Sequence, residues 1–195
     1  MTSFPSELRV YVGRMRLFEP RDWAVYAAWI GMLLGLCGST LAFVLAGALN
    51  GAPIPAEAWL VPAGAAIFTG AAAVDAIGHR TIYKEEIRRA EGLVHGLTIF
   101  CGIASCVLLC AAYGGGKAAS IPAAVLTGLS VLYSVVDEAF HWRRYVSARS
   151  DRVEMWSHLF IFVGHLTMMA GWWAWLLGGY LGVPQTLRAL RMAGG

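Results

Sequence analysis

Five uninterrupted apolar runs, at residues 23–49, 57–79, 91–113, 119–141 and 154–180, constrain this chain more than any other feature. Each reaches the roughly 20 residues that a helix needs to cross the hydrocarbon core of a bilayer. In lipid, every backbone polar group must be bonded internally, which leaves helices or closed barrels as spanning structures. Runs of this length without period-two alternation select helices. With 58% apolar residues and eight Trp in 195, the chain has more apolar surface than a soluble core of its size could hide. The expectation is an all-α integral membrane protein with five transmembrane helices. Residues 1–22 form a cytoplasmic N-terminal segment, 23–180 the membrane domain, and 181–195 a short amphipathic tail along the outer surface.

The breaks between the runs differ in kind on the two sides. Asn50-Gly51-Ala52-Pro53-Ile54-Pro55 and Gly114-Gly115-Gly116 are turn-rich. Arg80, Lys84, Arg88 and Arg89 lie between the second and third runs, and Arg143, Arg144, Arg149 and Arg152 between the fourth and fifth. Together with Arg9, Arg14, Arg16 and Arg21 they put 12 of the 15 Lys and Arg on one side. The positive-inside bias therefore predicts a cytoplasmic N-terminus and an outer C-terminus in a bacterial-type inner (plasma) membrane. The same bias accounts for the net charge of +3, so no nucleic-acid partner is expected. Residues 1–22 are too charged for a signal peptide, and the first run is expected to stay as a span. Cys37, Cys101, Cys106 and Cys110 all fall inside the runs, where free thiols act as small apolar groups rather than disulfide partners.

Within this apolar background one constellation occurs twice. Asp75-x-x-x-His79 is followed by Glu91-x-x-x-His95, and Asp137-x-x-x-His141 by Glu154-x-x-x-His158. Residues four apart share a helix face, so helices two to five each offer one acid and one imidazole. Numbers symmetric about a tight turn lie at equal depth. Asp75 is thus expected level with His95, His79 with Glu91, Asp137 with His158, and His141 with Glu154. Helices two to five are expected to form a four-helix bundle of two repeated hairpins, 57–113 and 119–180, with two ligand layers about 6 Å apart, close to the rise of one turn.

Ionisable groups at such positions are costly and functional by default. A shift of 62 residues aligns Asp75 with Asp137, His79 with His141, and Leu97-x-Ile99-Phe100 with Leu159-x-Ile161-Phe162, but sets His95 opposite Ser157. One extra residue in the second basic turn restores the ligand match at the expense of the apolar one. The alternative for any one pair is interhelical hydrogen bonding.

The eight side chains suit two transition-metal ions, iron first, with zinc and copper as alternatives. Their arrangement resembles the di-iron carboxylate bundles, in which inward Glu and His from four helices hold the pair, although those use Glu-x-x-His and more carboxylates. The Asp-x-x-x-His element also resembles the metal-binding element in the transmembrane C subunit of membrane copper monooxygenases, over five residues per repeat.

Glu138 and His165 are expected to support catalysis from beside the ligands. Glu138 points about 100° away from Asp137, as a substitute ligand or a salt-bridge partner for a loop arginine. His165 lies seven residues beyond His158 on the same face, as a further ligand, a proton relay or a satisfied buried imidazole. Met155, Met168 and Met169 read as packing. Trp172, Trp173, Trp175 and Tyr180 suggest an interfacial belt, and Gly64-Ala65-Ala66 and Gly70-Ala71-Ala72-Ala73 close helix approach.

The function expected is a metal-dependent membrane oxidoreductase with a dinuclear centre that hydroxylates or desaturates a lipid-like substrate, served by an electron-donor protein. A divalent metal-ion transporter, lengthened by homo-oligomerisation, is the principal alternative. A zinc-dependent hydrolase and a b-haem electron carrier are further ones, the last disfavoured by the flanking acids.

Overall fold

The structure is a computed structural model describing residues 3–82, 89–148 and 152–193. Every regular element among the described residues is helical. Helix α1 (Phe4–Val12) and a single 3-10 turn (Gly13–Leu17) precede α2 (Pro20–Leu49). A capping box between Glu19 and Asp22, with Pro20 in the first turn, starts α2 and satisfies its otherwise open N–H groups. After a short 3-10 stretch (Ala56–Trp59) come α3 (Leu60–Thr81), α4 (Arg89–Gly115), α5 (Lys117–Ala148), α6 (Arg152–Leu177) and α7 (Val183–Ala193). Helices α2 to α6 are each long and apolar enough to cross a membrane, matching the five runs. Lys84, Arg88 and Arg149 lie outside the described residues, as do the side chains of Arg89 and Glu91.

Helix α5 runs past the expected end of its span, from 141 to Ala148. Charge ends a membrane span but not a helix, because Arg is a good helix former. Helix α6 stops earlier than expected, at Leu177, where Gly179, Tyr180 and Gly182 adopt positive φ and turn the chain into α7. Amphipathic α7 packs back on α2.

The helices pair differently from the expected hairpins. Helix α3 lies closely against α6, and α4 against α5, whereas α3 and α4 do not pack on each other among the described residues. Glycine explains the first couple. A Cβ on Gly64 would stand 2.3 Å from the Met168 backbone N, one on Gly164 2.5 Å from that of Phe68, and one on Gly171 2.5 Å from Leu60 Cβ. Without side chains at these points, α3 and α6 approach backbone to backbone, where lipid-embedded helices gain their packing energy. The antiparallel register set by this seam continues to Asp75 and His158. Gly70, by contrast, faces open space.

The aromatic residues of α6 also depart from expectation. Trp172, Trp175 and Tyr180 are 4%, 7% and 5% exposed, so they form core with Val44 and Leu109 rather than a lipid-facing belt. Their polar atoms find internal acceptors: Trp175 Nε1 donates to Leu181 O at 2.9 Å, and Tyr180 OH to Leu109 O. Burial pushes the Tyr180 phenol up to about 12. At the arginine-rich end, α1 closes over the bundle through Tyr11 and the Glu7–Arg152 pair at 2.7 Å. All four cysteines are free thiols.

Candidate metal centre

Four helices direct acids and imidazoles to one point near the arginine-rich end. Helix α3 supplies Asp75 and His79, whose Oδ2 and Nε2 lie 3.2 Å apart across one turn. The glycine seam sets His158 of α6 opposite them, with Nε2 3.0 Å from Asp75 Oδ1. Helix α5 supplies Asp137 and His141, and the His141 ring stacks on His158 with centroids 3.3 Å apart. From α4, His95 Nδ1 donates to Asp137 Oδ2 at 3.1 Å, and its ring lies 5.4 Å from that of His79. Asp75, Asp137, His141, Glu154 and His158 are all buried.

Two sets of donor atoms come together, each within 4.8 Å: Asp75, His79 and His158, and Asp137, His141 and His158. Ligand atoms about 2.1 Å from a common ion stand about 3.0–3.4 Å apart, which matches the two contacts of Asp75 in the first set, Oδ2 to His79 and Oδ1 to His158. The second is looser, with His141 Nε2 3.9 Å from Asp137 Oδ1. Orientation matters as much as distance. Asp137 Oδ1 is buried without a hydrogen-bond partner among the described residues, and His158 Nε2, though 3.0 Å from Asp75 Oδ1, is poorly aligned for a hydrogen bond with it. Buried polar atoms are ordinarily bonded, and leaving one unsatisfied costs about 1–3 kcal/mol. A shared cation would satisfy both atoms, and would offset the charge of the buried carboxylates.

The outer contacts orient the rings. Glu154 Oε1 accepts from His141 Nδ1 at 3.1 Å and from Arg144 Nη1 at 3.0 Å. Glu138 Oε1 lies 3.6 Å from His158 Nδ1. A carboxylate can only accept, so His141 carries its proton on Nδ1 and turns the Nε2 lone pair inward. Carboxylate-backed imidazoles of this kind are the usual companions of metal-ligating histidine.

Of the ten residues singled out by sequence, five supply the two donor sets, namely Asp75, His79, Asp137, His141 and His158. Glu154, expected as a ligand, takes its contacts from His141 and Arg144 instead. His95 bonds Asp137 and stands outside both sets. Among the described residues Glu138 reaches His158, at 3.6 Å, rather than a loop arginine. Glu91 sits in the first turn of α4 with its side chain outside the described residues. Sequence reasoning missed Arg144. Its spacing of three from His141 marks it as a same-face neighbour, but a basic cluster at a span's end is already explained by topology.

His165 stands apart, two turns deeper on α6, with Nε2 3.3 Å from Ser130 Oγ. A cavity of about 250 Å³ joins it to the cluster. Asp75, His95, Asp137, Glu138 and His158 form one end of this space. Its walls are apolar, with Trp29 and Leu33 from α2, Phe68 from α3, Ile103 from α4, and Phe162 and Met169 from α6. Helices α2 and α4 both line the cavity without packing closely on each other among the described residues. Comparison with protein-family models, curated proteins and solved structures gives no match to this chain.

Proposed function

We propose that this chain is a multi-pass protein of a bacterial-type inner membrane, N-terminus cytoplasmic, that binds transition-metal ions at the His/carboxylate cluster and oxidises a hydrophobic substrate. The observation that carries the reading is the convergence of carboxylate and imidazole donor atoms from three helices on one end of a largely apolar cavity. The arrangement extends the bundle logic of inward-facing acids and imidazoles to a fold whose tight pairs are α3–α6 and α4–α5.

Asp75, His79 and His158 hold the first ion, and Asp137 and His141 the second, beside His158. Mixed nitrogen and oxygen donors without thiolate suit iron. Bound iron would supply oxygen activation. Hydroxylation then consumes one O2, two protons and two electrons from a donor protein, giving the alcohol and one water; desaturation consumes the same and gives the alkene and two waters. The chain's own residues perform the remaining tasks. Glu154 and Arg144 hold His141 in one tautomer, His95 offers a half-buried imidazole at the cavity edge, and the apolar walls exclude water and admit a hydrophobic molecule from the bilayer. A transport path needs polar lining through the membrane, and the cavity beyond the cluster is largely apolar, with Thr98, Ser134 and His165 among its few polar lining residues.

The test is elemental analysis and a visible spectrum of detergent-purified protein never exposed to chelator. About two irons per chain without a haem Soret band, together with oxygen uptake on adding a chemical reductant and a lipid substrate, is the expected outcome. Zinc alone would point to hydrolysis, a freely exchanging ion to transport, and a folded protein with no metal would overturn the proposal.

A further inference from the structure

The far end of the cavity is built as well as the near one. His165 is 5% exposed and lines the space, and among the described residues its Nε2 lies 3.3 Å from Ser130 Oγ, a fully buried hydroxyl behind the cavity wall that itself donates to Thr127 O at 2.9 Å. Phe68, Met168 and Met169 share its surroundings. An imidazole kept in apolar surroundings only to pack would be better replaced by phenylalanine, since its polar atoms carry a desolvation cost. Opposite the ring stands Gly102 of α4. A Cβ there would meet only His165 Nε2, at 4.0 Å, so the edge of the imidazole is left uncovered on the cavity side.

Resting on the oxidoreductase reading for the near end, we infer that His165, held from behind by Ser130, forms a recognition subsite for a neutral hydrogen-bonding oxygen, a hydroxyl or carbonyl, on an otherwise apolar substrate. Among the described residues the ring has no carboxylate in contact, so a neutral head suits it better than a charged one. Seven residues of helix separate His165 from His158, about 10 Å along α6. A chain anchored by its oxygen at His165 therefore lays a carbon several bonds away against the cluster, and oxidation falls remote from the head. One hydrogen bond in a largely apolar cavity gives selectivity rather than bulk affinity. His165 acts here as a specificity residue, outside the ligand sets.

The experiment uses a long-chain primary alcohol with a mid-chain diazirine and the alkane of equal length carrying the same group, photolysed on the full-length protein in detergent and mapped by peptide mass spectrometry. The alcohol is expected to label the cavity wall around Ile103 and Val107 at lower concentration than the alkane. His165→Phe should weaken the alcohol by about three- to tenfold, the worth of one hydrogen bond, and leave the alkane unchanged. Gly102→Leu should remove labelling by both while metal content stays at the wild-type level, and it carries the test should His165→Phe not fold. Equal labelling by alcohol and alkane, or an alcohol indifferent to both substitutions, would overturn the subsite. Metal content is measured on the same samples: absent metal with the alcohol preference intact overturns only the oxidoreductase reading.

Discussion

The two Asp-x-x-x-His elements share a motif but not an environment. The element on α3 sits beside a backbone-close seam, and both of its donor atoms are drawn to within 3.2 Å of a neighbour: His79 Nε2 to Asp75 Oδ2, and Asp75 Oδ1 to His158. The element on α5 is spread, with 3.9 Å between His141 and Asp137, yet each of its members is tied from outside, His141 by Glu154 and Asp137 by His95. His79 is 21% exposed in its side chain and His141 only 3%. One motif is thus positioned by helix packing and the other by hydrogen bonds. Local sequence defines the donors, whereas surrounding contacts decide how firmly each is held.

The comparison can be broken at its shared member. His158→Ala should remove the ion held with Asp75 and His79, lowering affinity there by more than about 100-fold, the upper range for loss of a mere orienting contact, and should weaken the second ion that the ring adjoins. Competition with a chromophoric chelator reads this directly, and unchanged binding would dissolve the two-position scheme. Glu154→Gln keeps the shape but loses the charge that backs His141. It should weaken the α5 position alone by about 10–100-fold, splitting the loading curve into a tight and a weak step.

Gly164→Ala addresses the α3 element through its support. The added methyl meets Phe68 backbone, and the overpacking should cost about 1–3 kcal/mol, read as a lower melting temperature in detergent, with the α3 position losing metal before the α5 position. The smallest effect is expected from His95→Phe, which removes one bond to Asp137 and should weaken the second ion by about two- to tenfold. Equal losses at both positions in either of these last variants would erase the distinction.

The five spans were legible because length and apolarity are local properties, and so were the acid and histidine positions, because a four-residue spacing fixes their common face. Helix pairing was not. Gly64 was read as a close-approach site, but its partner is Gly164, about a hundred residues away, and nothing in either segment alone specifies that register. The depth symmetry of hairpins placed His141 level with Glu154, and these do touch, yet the same symmetry gave no hint that Arg144 would claim the carboxylate as well. The tryptophans of α6 misled for a related reason. Aromatic residues near a span's end serve as core or as belt, and burial is decided by residues of other helices, such as Val44, Val61 and Leu109, that gather around them.

The pairing of α3 with α6 and of α4 with α5 has a mechanical consequence. The couples meet chiefly through α5 and α6, and at one end through the donors themselves, so a cation lodged there would rivet one half of the molecule to the other. Saturation at a hundredfold excess over Kd is worth about 2.7 kcal/mol to any state that alone can bind. Chelation should therefore loosen the division between the halves, where α2 and α4 already stand apart, and the supply of metal would govern how readily the bilayer gains access to the interior.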